Sequence, residues 1–309
     1  QLMDFSEYTL VSFGDSFTFG QDTVPVPDFP IPINQVLEKE YISECNNNSY
    51  TQFLADNLGF KDSLNFGVQG ASNDRSMTHL ESFLRNNPKK KVFILFNFTS
   101  PSRYMQFFKI DDEEKYDVVD MSTSMISSEG NVSYPWKIKY TGINSKNLGD
   151  NWTYYRNSIQ DVFAHIKQRR AIYYILSSYN TPYVTFDIVN DMDARILRDN
   201  PLEYINKENI DGCYGKFLYN KDENYVFKEM DFLSSYYREL VNKRPLLTTH
   251  LGVDYLNKNR NFIGYISSLG NSYNGDVNHY KSEYGKHWNI EGHMEVAILL
   301  YKFINERYK

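Results

Sequence analysis

Apolar residues fall into short continuous runs along the chain, and amphipathic stretches separate these runs. The runs at residues 9–13, 91–96 and 183–189 have the length of one β-strand and are rich in β-branched or aromatic residues, and residues 63–67 are consistent with a further short strand. The predicted strands span residues 9–13, 63–67, 91–96 and 183–189. Continuous apolar runs are typical of parallel strands that are covered by helices on both faces. The pattern therefore predicts an α/β fold with a parallel central sheet.

Stretches with helical periodicity lie between the predicted strands and at the end of the sequence. They span residues 50–58, 74–85, 152–178 and 291–308. Ser49 is a candidate N-cap for the first of these helices, and Gly59 is its candidate C-terminal stop. The predicted core-facing positions of the last helix are Met294, Ala297, Ile298, Tyr301 and Ile304. Strands that alternate with helices in this way favour right-handed crossovers between parallel strands.

Two stretches do not follow this alternation, and we predict that they are insertions into a single domain spanning residues 1–309. The first covers roughly residues 101–149 and contains an acidic run that is typical of a solvated surface. The second covers roughly residues 190–278, is polar and rich in tyrosine, and has one predicted helix at residues 230–242.

Composition and charge exclude some classes of function. The net charge of −6 provides no basic field for nucleic acid or an anionic membrane surface. No apolar run approaches the roughly 18 residues that span a bilayer, and the first eight residues show no signal-peptide pattern. The compartment and the oligomeric state therefore stay open. Cys45 and Cys213 lack metal-type spacing, which favours two free thiols over a metal site, with a disulfide as the alternative.

Ser16 is a candidate nucleophile because of its place after the first predicted strand. Gly14, Asp15 and Ser16 follow the run of residues 9–13 directly, and Gly20 comes shortly after them. Open parallel sheets bind ligands at the carboxyl ends of their strands, so a serine there can act on a bound substrate if a histidine reaches it. The alternative is an ordinary turn, because all three residues favour turns.

His287 is the candidate base, because it precedes the last predicted helix in sequence. Asn289 is a plausible N-cap, which places His287 in the loop before the helix, where it can approach a serine from another loop. His293 lies one turn inside the helix, and we predict that it is a packing residue.

Three blocks of the sequence together resemble the SGNH/GDSL hydrolase family. They are Gly14-Asp15-Ser16, the segment Asn65 to Gly70, and the segment His287 to His293, and they occur in the order of the family's motifs. The resemblance implies a three-layer α/β/α fold related to flavodoxin's. It also implies hydrolysis of esters or carbohydrate esters without a metal or organic cofactor.

The resemblance assigns roles to individual residues. It makes Ser16 the nucleophile and His287 the general base, and it makes the backbone N–H groups of Ser16 and Gly70 donors to the oxyanion. A third donor in the family is an asparagine side chain after the third strand, for which Asn97 is the natural match. Thr99 and Asn73 are the alternatives.

The sequence departs from the family at the acid that orients the histidine. The family places an aspartate two or three residues before the histidine, but Gly285 and Tyr284 occupy those positions here. Glu283 is the nearest carboxylate, and Asp276 lies further back. Either Glu283 takes the role, a backbone carbonyl orients His287, or the site is impaired.

Three functions follow from these observations. The leading hypothesis is a serine esterase that acts on O-acetyl groups of a carbohydrate, for which the aromatic content of 16% offers a suitable surface. Biased genome composition is the other explanation of that content. The second hypothesis is a non-catalytic binding or structural module that keeps the fold without the acid. The third is an O-acyltransferase, in which an acceptor hydroxyl replaces water.

Overall fold

The computed structural model describes residues 3–25, 35–100, 103–109, 116–121, 158–188, 250–251, 262–285 and 287–308. The strands are β1 Thr9–Gly14, β2 Asp62–Gly67, β3 Val92–Phe98, β4 Tyr104–Lys109, β5 Tyr116–Met121, β6 Tyr183–Asp187 and β7 His250–Leu251. A 3₁₀ turn at Phe5–Glu7 precedes β1. The helices are α1 Ser16–Phe19, α2 Gln35–Asn47, α3 Tyr50–Leu58, α4 Asn73–Asn86, α5 Ser158–Ser178, α6 Phe262–Asn274 and α7 Ile290–Tyr308.

The main sheet is parallel, with the strand order β2-β1-β3-β6-β7. This is the doubly wound order of flavodoxin-like sheets. One face of the sheet packs against α3, α6 and α7, and the other face packs against α4 and α5. The layers therefore form an α/β/α sandwich, and the predicted fold class is confirmed.

Within the described residues, the predicted elements agree with the structure apart from their ends. On the last helix, Ala297 and Ile304 are buried as predicted, but two other predicted core positions were wrong. Met294 and Ile298 are 46% and 41% exposed, although the periodicity assigns them to the core. The core instead receives apolar residues on the other side of α7, namely Val296, Leu299, Leu300 and Phe303. Apolar residues surround most of α7, so periodicity alone does not identify the buried face, which packing against α3 and the sheet selects.

The second predicted insertion contains two elements of the core, which corrects its boundaries. Strand β7 pairs with β6 at the edge of the main sheet, and Phe262 and Ile266 of α6 belong to the main core. The two-residue β7 is too short to leave a pattern in the sequence. In the first insertion, β4 and β5 form a separate antiparallel pair. The acidic run, the helix expected at residues 230–242 and Cys213 lie outside the described residues.

The strand register brings the loops that carry the candidate chemistry to one edge of the sheet. Gly14 at the end of β1 is opposite Gly67 at the end of β2, and the N–H of Val68 donates to the Gly14 carbonyl oxygen at 3.1 Å. Strand β3 runs beside β1 on its other side and ends at Phe98. The segments that follow these three strands are therefore neighbours at the carboxyl edge.

Candidate active site

Asp15 holds Ser16 at the start of the short helix α1. The Asp15 carboxylate accepts a hydrogen bond from the N–H of Phe17 at 3.1 Å, which makes Asp15 the N-cap of that helix. The chain turns tightly here, because a β-carbon on Gly14 would lie 2.2 Å from Oγ1 of Thr18. Ser16 is 4% exposed, so its hydroxyl occupies a largely enclosed position at the sheet edge.

A continuous chain of hydrogen bonds joins Ser16, His287 and Asp22. Nε2 of His287 lies 2.8 Å from Oγ of Ser16, and Nδ1 of His287 lies 2.7 Å from Oδ2 of Asp22. The side chain of His287 retains 17% exposure and that of Asp22 retains 6%. A hydroxyl, an imidazole and a carboxylate in this order can remove the hydroxyl proton and stabilise the resulting imidazolium.

The turn after helix α1 places the carboxylate of Asp22. Helix α1 ends at Gly20, whose φ of +83° starts a tight turn, and the Thr23 hydroxyl donates to the Gly20 carbonyl oxygen at 2.8 Å. Asp22 itself has a φ of +66°, a conformation that aspartate tolerates better than most residues. The Ser282 hydroxyl donates to the backbone carbonyl of Asp22 and so ties this turn to the loop that carries His287.

Asp22 is the carboxylate beside His287 that the sequence analysis missed. Glu283, which was expected there, is exposed, and its carboxylate hydrogen-bonds to the hydroxyl of Tyr284, which raises the pKa of that tyrosine. Asp276 is exposed as well, and its carboxylate accepts a hydrogen bond from the N–H of Asn278. The expectation failed because it looked for the acid near His287 in sequence, whereas Asp22 precedes His287 by 265 positions.

Gly285 provides the space that the Asp22 carboxylate occupies. A β-carbon at this position would lie 1.8 Å from Oδ2 of Asp22 and 2.8 Å from its Oδ1. Both distances are far below van der Waals contact. The Asp22 carboxylate can therefore take this position only because residue 285 is a glycine. Gly285 occupies one of the positions where the sequence analysis expected an aspartate. It leaves room there for a carboxylate from another loop.

We expect Gly285→Ala to lower kcat by between tenfold and the ~10⁴-fold that loss of the orienting acid costs elsewhere, because the methyl group displaces the Asp22 carboxylate from Nδ1. The measurement is steady-state kcat on p-nitrophenyl acetate together with the melting temperature. Gly275→Ala is the control, because Gly275 has a φ of +77° and open space around it. The control should lose stability and keep its kcat. An unchanged kcat in Gly285→Ala would show that the position of the Asp22 carboxylate does not require a glycine at residue 285.

Two backbone N–H groups at this edge are candidates for binding an oxyanion. Ser16 is the first residue of α1, so its N–H has no partner within the helix. Gly70 lies three residues beyond the end of β2 with a φ of +72°, and a β-carbon there would meet no atom within 4 Å. The open space beside Gly70 allows another molecule to approach the backbone closely.

The three side chains considered for a third donor already use their donor hydrogens. The amide nitrogen of Asn97 donates to Asp15 at 3.1 Å and to Thr18 at 3.0 Å. The hydroxyl of Thr99 donates to Asp15 at 2.7 Å, and the amide nitrogen of Asn73 donates to the Thr99 carbonyl and to Gln168. All three candidates are buried. The structure therefore corrects their expected role: they satisfy the buried carboxylate of Asp15 and the chain around it.

His293 packs in the core, as predicted from the sequence. Its Nδ1 accepts a hydrogen bond from the N–H of Tyr50 at 3.2 Å, and its ring stacks on the Tyr50 ring. Burial lowers the pKa of His293 to about 3, with a further contribution from nearby His287. His293 is therefore neutral near pH 7. Phe17 packs edge-on against the ring of His287 and also contacts Trp288, which fixes the position of the His287 loop.

Among the described residues, no cluster of three His, Cys, Asp or Glu side chains is placed to hold a metal ion. Cys45 is buried with a free thiol. No helix in the described part of the chain is both long enough and apolar enough to cross a membrane.

Comparison with known proteins gives similarity to solved structures only. No family model and no curated protein matches this chain. One similar structure is assigned to the lipolytic G-D-S-L family and comes from Desulfitobacterium hafniense DCB-2, with 12% identity, a TM-score of 0.40, and coverage of 96% of this chain and 98% of that chain. A second is the lipase/acylhydrolase from Enterococcus faecalis, with 11% identity, a TM-score of 0.37, and coverage of 98% and 97%.

Proposed function

We propose that this protein is a serine hydrolase of carboxylic esters, with Ser16 as nucleophile, His287 as general base and Asp22 as the orienting acid. The observation that supports the proposal is the hydrogen-bonded chain from Oγ of Ser16 through the imidazole to the Asp22 carboxylate, with distances of 2.8 and 2.7 Å. The three groups come from the ends of the polypeptide and meet at the carboxyl edge of a parallel sheet, where ligands of such sheets bind.

In the proposed reaction, Oγ of Ser16 attacks the ester carbonyl carbon while its proton passes to Nε2 of His287. The carbonyl π electrons move to the oxygen, and the N–H groups of Ser16 and Gly70 donate to the oxyanion that forms. The imidazolium, stabilised by Asp22, then protonates the leaving alkoxide, and an acyl-enzyme remains. Water attacks the acyl-enzyme with His287 again as base, which releases the acid and regenerates the serine.

Asp22 also bears on the choice between an enzyme and a non-catalytic module. The non-catalytic hypothesis rested on the missing acid before His287. A carboxylate at 2.7 Å from Nδ1 removes that reason, so the geometry favours the enzyme.

For the substrate, we propose O-acetyl groups on a carbohydrate, on the basis of the high content of tyrosine and other aromatic residues. Release of acetate from an acetylated oligosaccharide tests this choice. Acyl transfer to an added sugar in preference to water would instead favour the acyltransferase.

Covalent labelling tests the nucleophile directly. We expect a fluorophosphonate to add one adduct to the protein, and peptide mapping to place that adduct on Ser16. Ser16→Ala should remain unlabelled. Ser12→Ala is the matched control and should label like the wild type, because Ser12 lies buried on β1 with its hydroxyl bonded to Thr51. An absent adduct, or an adduct that persists in Ser16→Ala, would refute the proposal.

A further inference from the structure

Arg103 brings a positive charge to the loops that carry the two proposed oxyanion donors. Its Nη1 lies 3.3 Å from Oδ2 of Asp15 and 3.5 Å from the carbonyl oxygen of Ala71. Asp15 directly precedes Ser16, and Ala71 directly follows Gly70. The guanidinium of Arg103 therefore contacts the segments after β1 and β2, which also carry the N–H groups of Ser16 and Gly70.

The backbone around Arg103 keeps the side chain in this place. Arg103 lies between the end of β3 and the start of β4, and its N–H donates to the Ser100 carbonyl oxygen at 3.0 Å. Asp15 is fully buried, whereas 22% of the Arg103 side chain is exposed. One end of the guanidinium thus meets a buried carboxylate, while part of the side chain remains accessible at the sheet edge.

Arg103 also has more N–H donors than its contacts use, in contrast to the neutral side chains nearby. A guanidinium carries five N–H groups on three nitrogens. The side-chain contacts of Arg103 with the described residues involve Nη1. Asn97, Thr99 and Asn73 use their side-chain donors within the protein, as shown above. Of these four described side chains, Arg103 is therefore the one that can still donate to a bound molecule.

We propose that Arg103 is the third donor of the oxyanion hole and supplies it with a full positive charge. The inference rests on the proposed function. As the bond between Oγ of Ser16 and the carbonyl carbon forms, negative charge collects on the former carbonyl oxygen. A positive charge that is fixed near this oxygen, in a site with little water, lowers the activation barrier. It does so because the surrounding groups need not reorganise as the negative charge forms. The Asp15 carboxylate also accepts hydrogen bonds from Phe17, Asn97 and Thr99, so Arg103 is one of four donors to it.

The test compares Arg103→Gln with Arg103→Lys. Glutamine removes the charge and keeps an N–H donor for the buried Asp15 carboxylate, whereas lysine keeps the charge and loses the planar fork. Steady-state kcat and KM are measured on p-nitrophenyl acetate, a neutral substrate, and kcat is expressed per active site titrated with the fluorophosphonate. Arg85→Gln is the matched control, because Arg85 forms an exposed ion pair with Glu81 on α4.

We expect Arg103→Gln to lower kcat by 10²- to 10³-fold, the usual effect of one oxyanion donor, with KM within about threefold of the wild type. Arg103→Lys should recover at least tenfold of that loss. The inference is overturned if Arg103→Gln retains kcat per titrated site within threefold, or if its effect lies in KM alone, which would indicate substrate binding. Absence of labelling in the wild type would instead refute the proposed hydrolase itself, so the two failures are distinguishable.

Discussion

Replacement of Ser16 by alanine is expected to lower kcat for p-nitrophenyl acetate by about 10⁶-fold, to the rate that binding and the oxyanion donors support alone. Replacement of His287 by alanine should have nearly the same effect. The double variant should be no slower than either single variant, because a hydroxyl and an imidazole 2.8 Å apart act as one proton-transfer unit. The measurement is steady-state kcat after subtraction of the non-enzymatic rate.

Ser12→Ala serves as the control in this series and should keep its kcat, since Ser12 is buried in β1 away from His287. Melting temperatures of all variants separate loss of catalysis from loss of folding. Losses that multiply in the double variant would mean that Ser16 and His287 act independently, which the proposed mechanism does not allow.

Replacement of Asp22 by asparagine is expected to lower kcat by about 10⁴-fold, the effect of the same change in a serine protease triad. Asparagine tolerates the positive φ of this position, so the substitution removes the charge without straining the turn. Its amide would donate to Nδ1 and favour the tautomer that carries the proton on Nε2. In that tautomer Nε2 cannot accept the proton of Ser16. Steady-state kcat and the rate of fluorophosphonate labelling measure the effect.

Glu283→Gln distinguishes the structural assignment of the acid from the sequence-based one. If Asp22 is the acid, Glu283→Gln should keep kcat within about twofold, because Glu283 is exposed and hydrogen-bonds to Tyr284. A large loss in Glu283→Gln together with a small loss in Asp22→Asn would show that Glu283 orients His287 in solution.

Local patterns in the sequence were sufficient for four strands of the main sheet and for the two candidate reacting groups. The continuous apolar run that became β3 predicted a doubly covered parallel strand, because burial on both faces requires apolar residues at every position. Gly14 and Asp15 predicted the position of Ser16 after β1, and Asn289 predicted the loop position of His287, since its side chain accepts from the N–H of Gly292 at 2.8 Å. Each of these signals lies within a few residues of the feature it predicts.

The remaining parts of the site depend on contacts between segments far apart in sequence. The sequence places Asn97 directly after a predicted strand, which suggests an amide that is available to a ligand. Its hydrogen bond to Asp15 depends on the position of that carboxylate, which only the sheet register determines. Arg103 likewise carries no local motif, and its contacts with Asp15 and Ala71 join segments that are far apart in sequence.

The sequence by itself determined the α/β class, most strands and helices of the main sheet, and the choice of Ser16 and His287 as candidates, because periodicity, caps and strand-end motifs are properties of neighbouring residues. Only the tertiary structure decided which carboxylate lies beside the histidine. Asp22 reaches Nδ1 because a left-handed turn directs it and Gly285 leaves the space for it. No short stretch of the chain contains both of these residues, so their contact exists only after the two loops meet at the sheet edge.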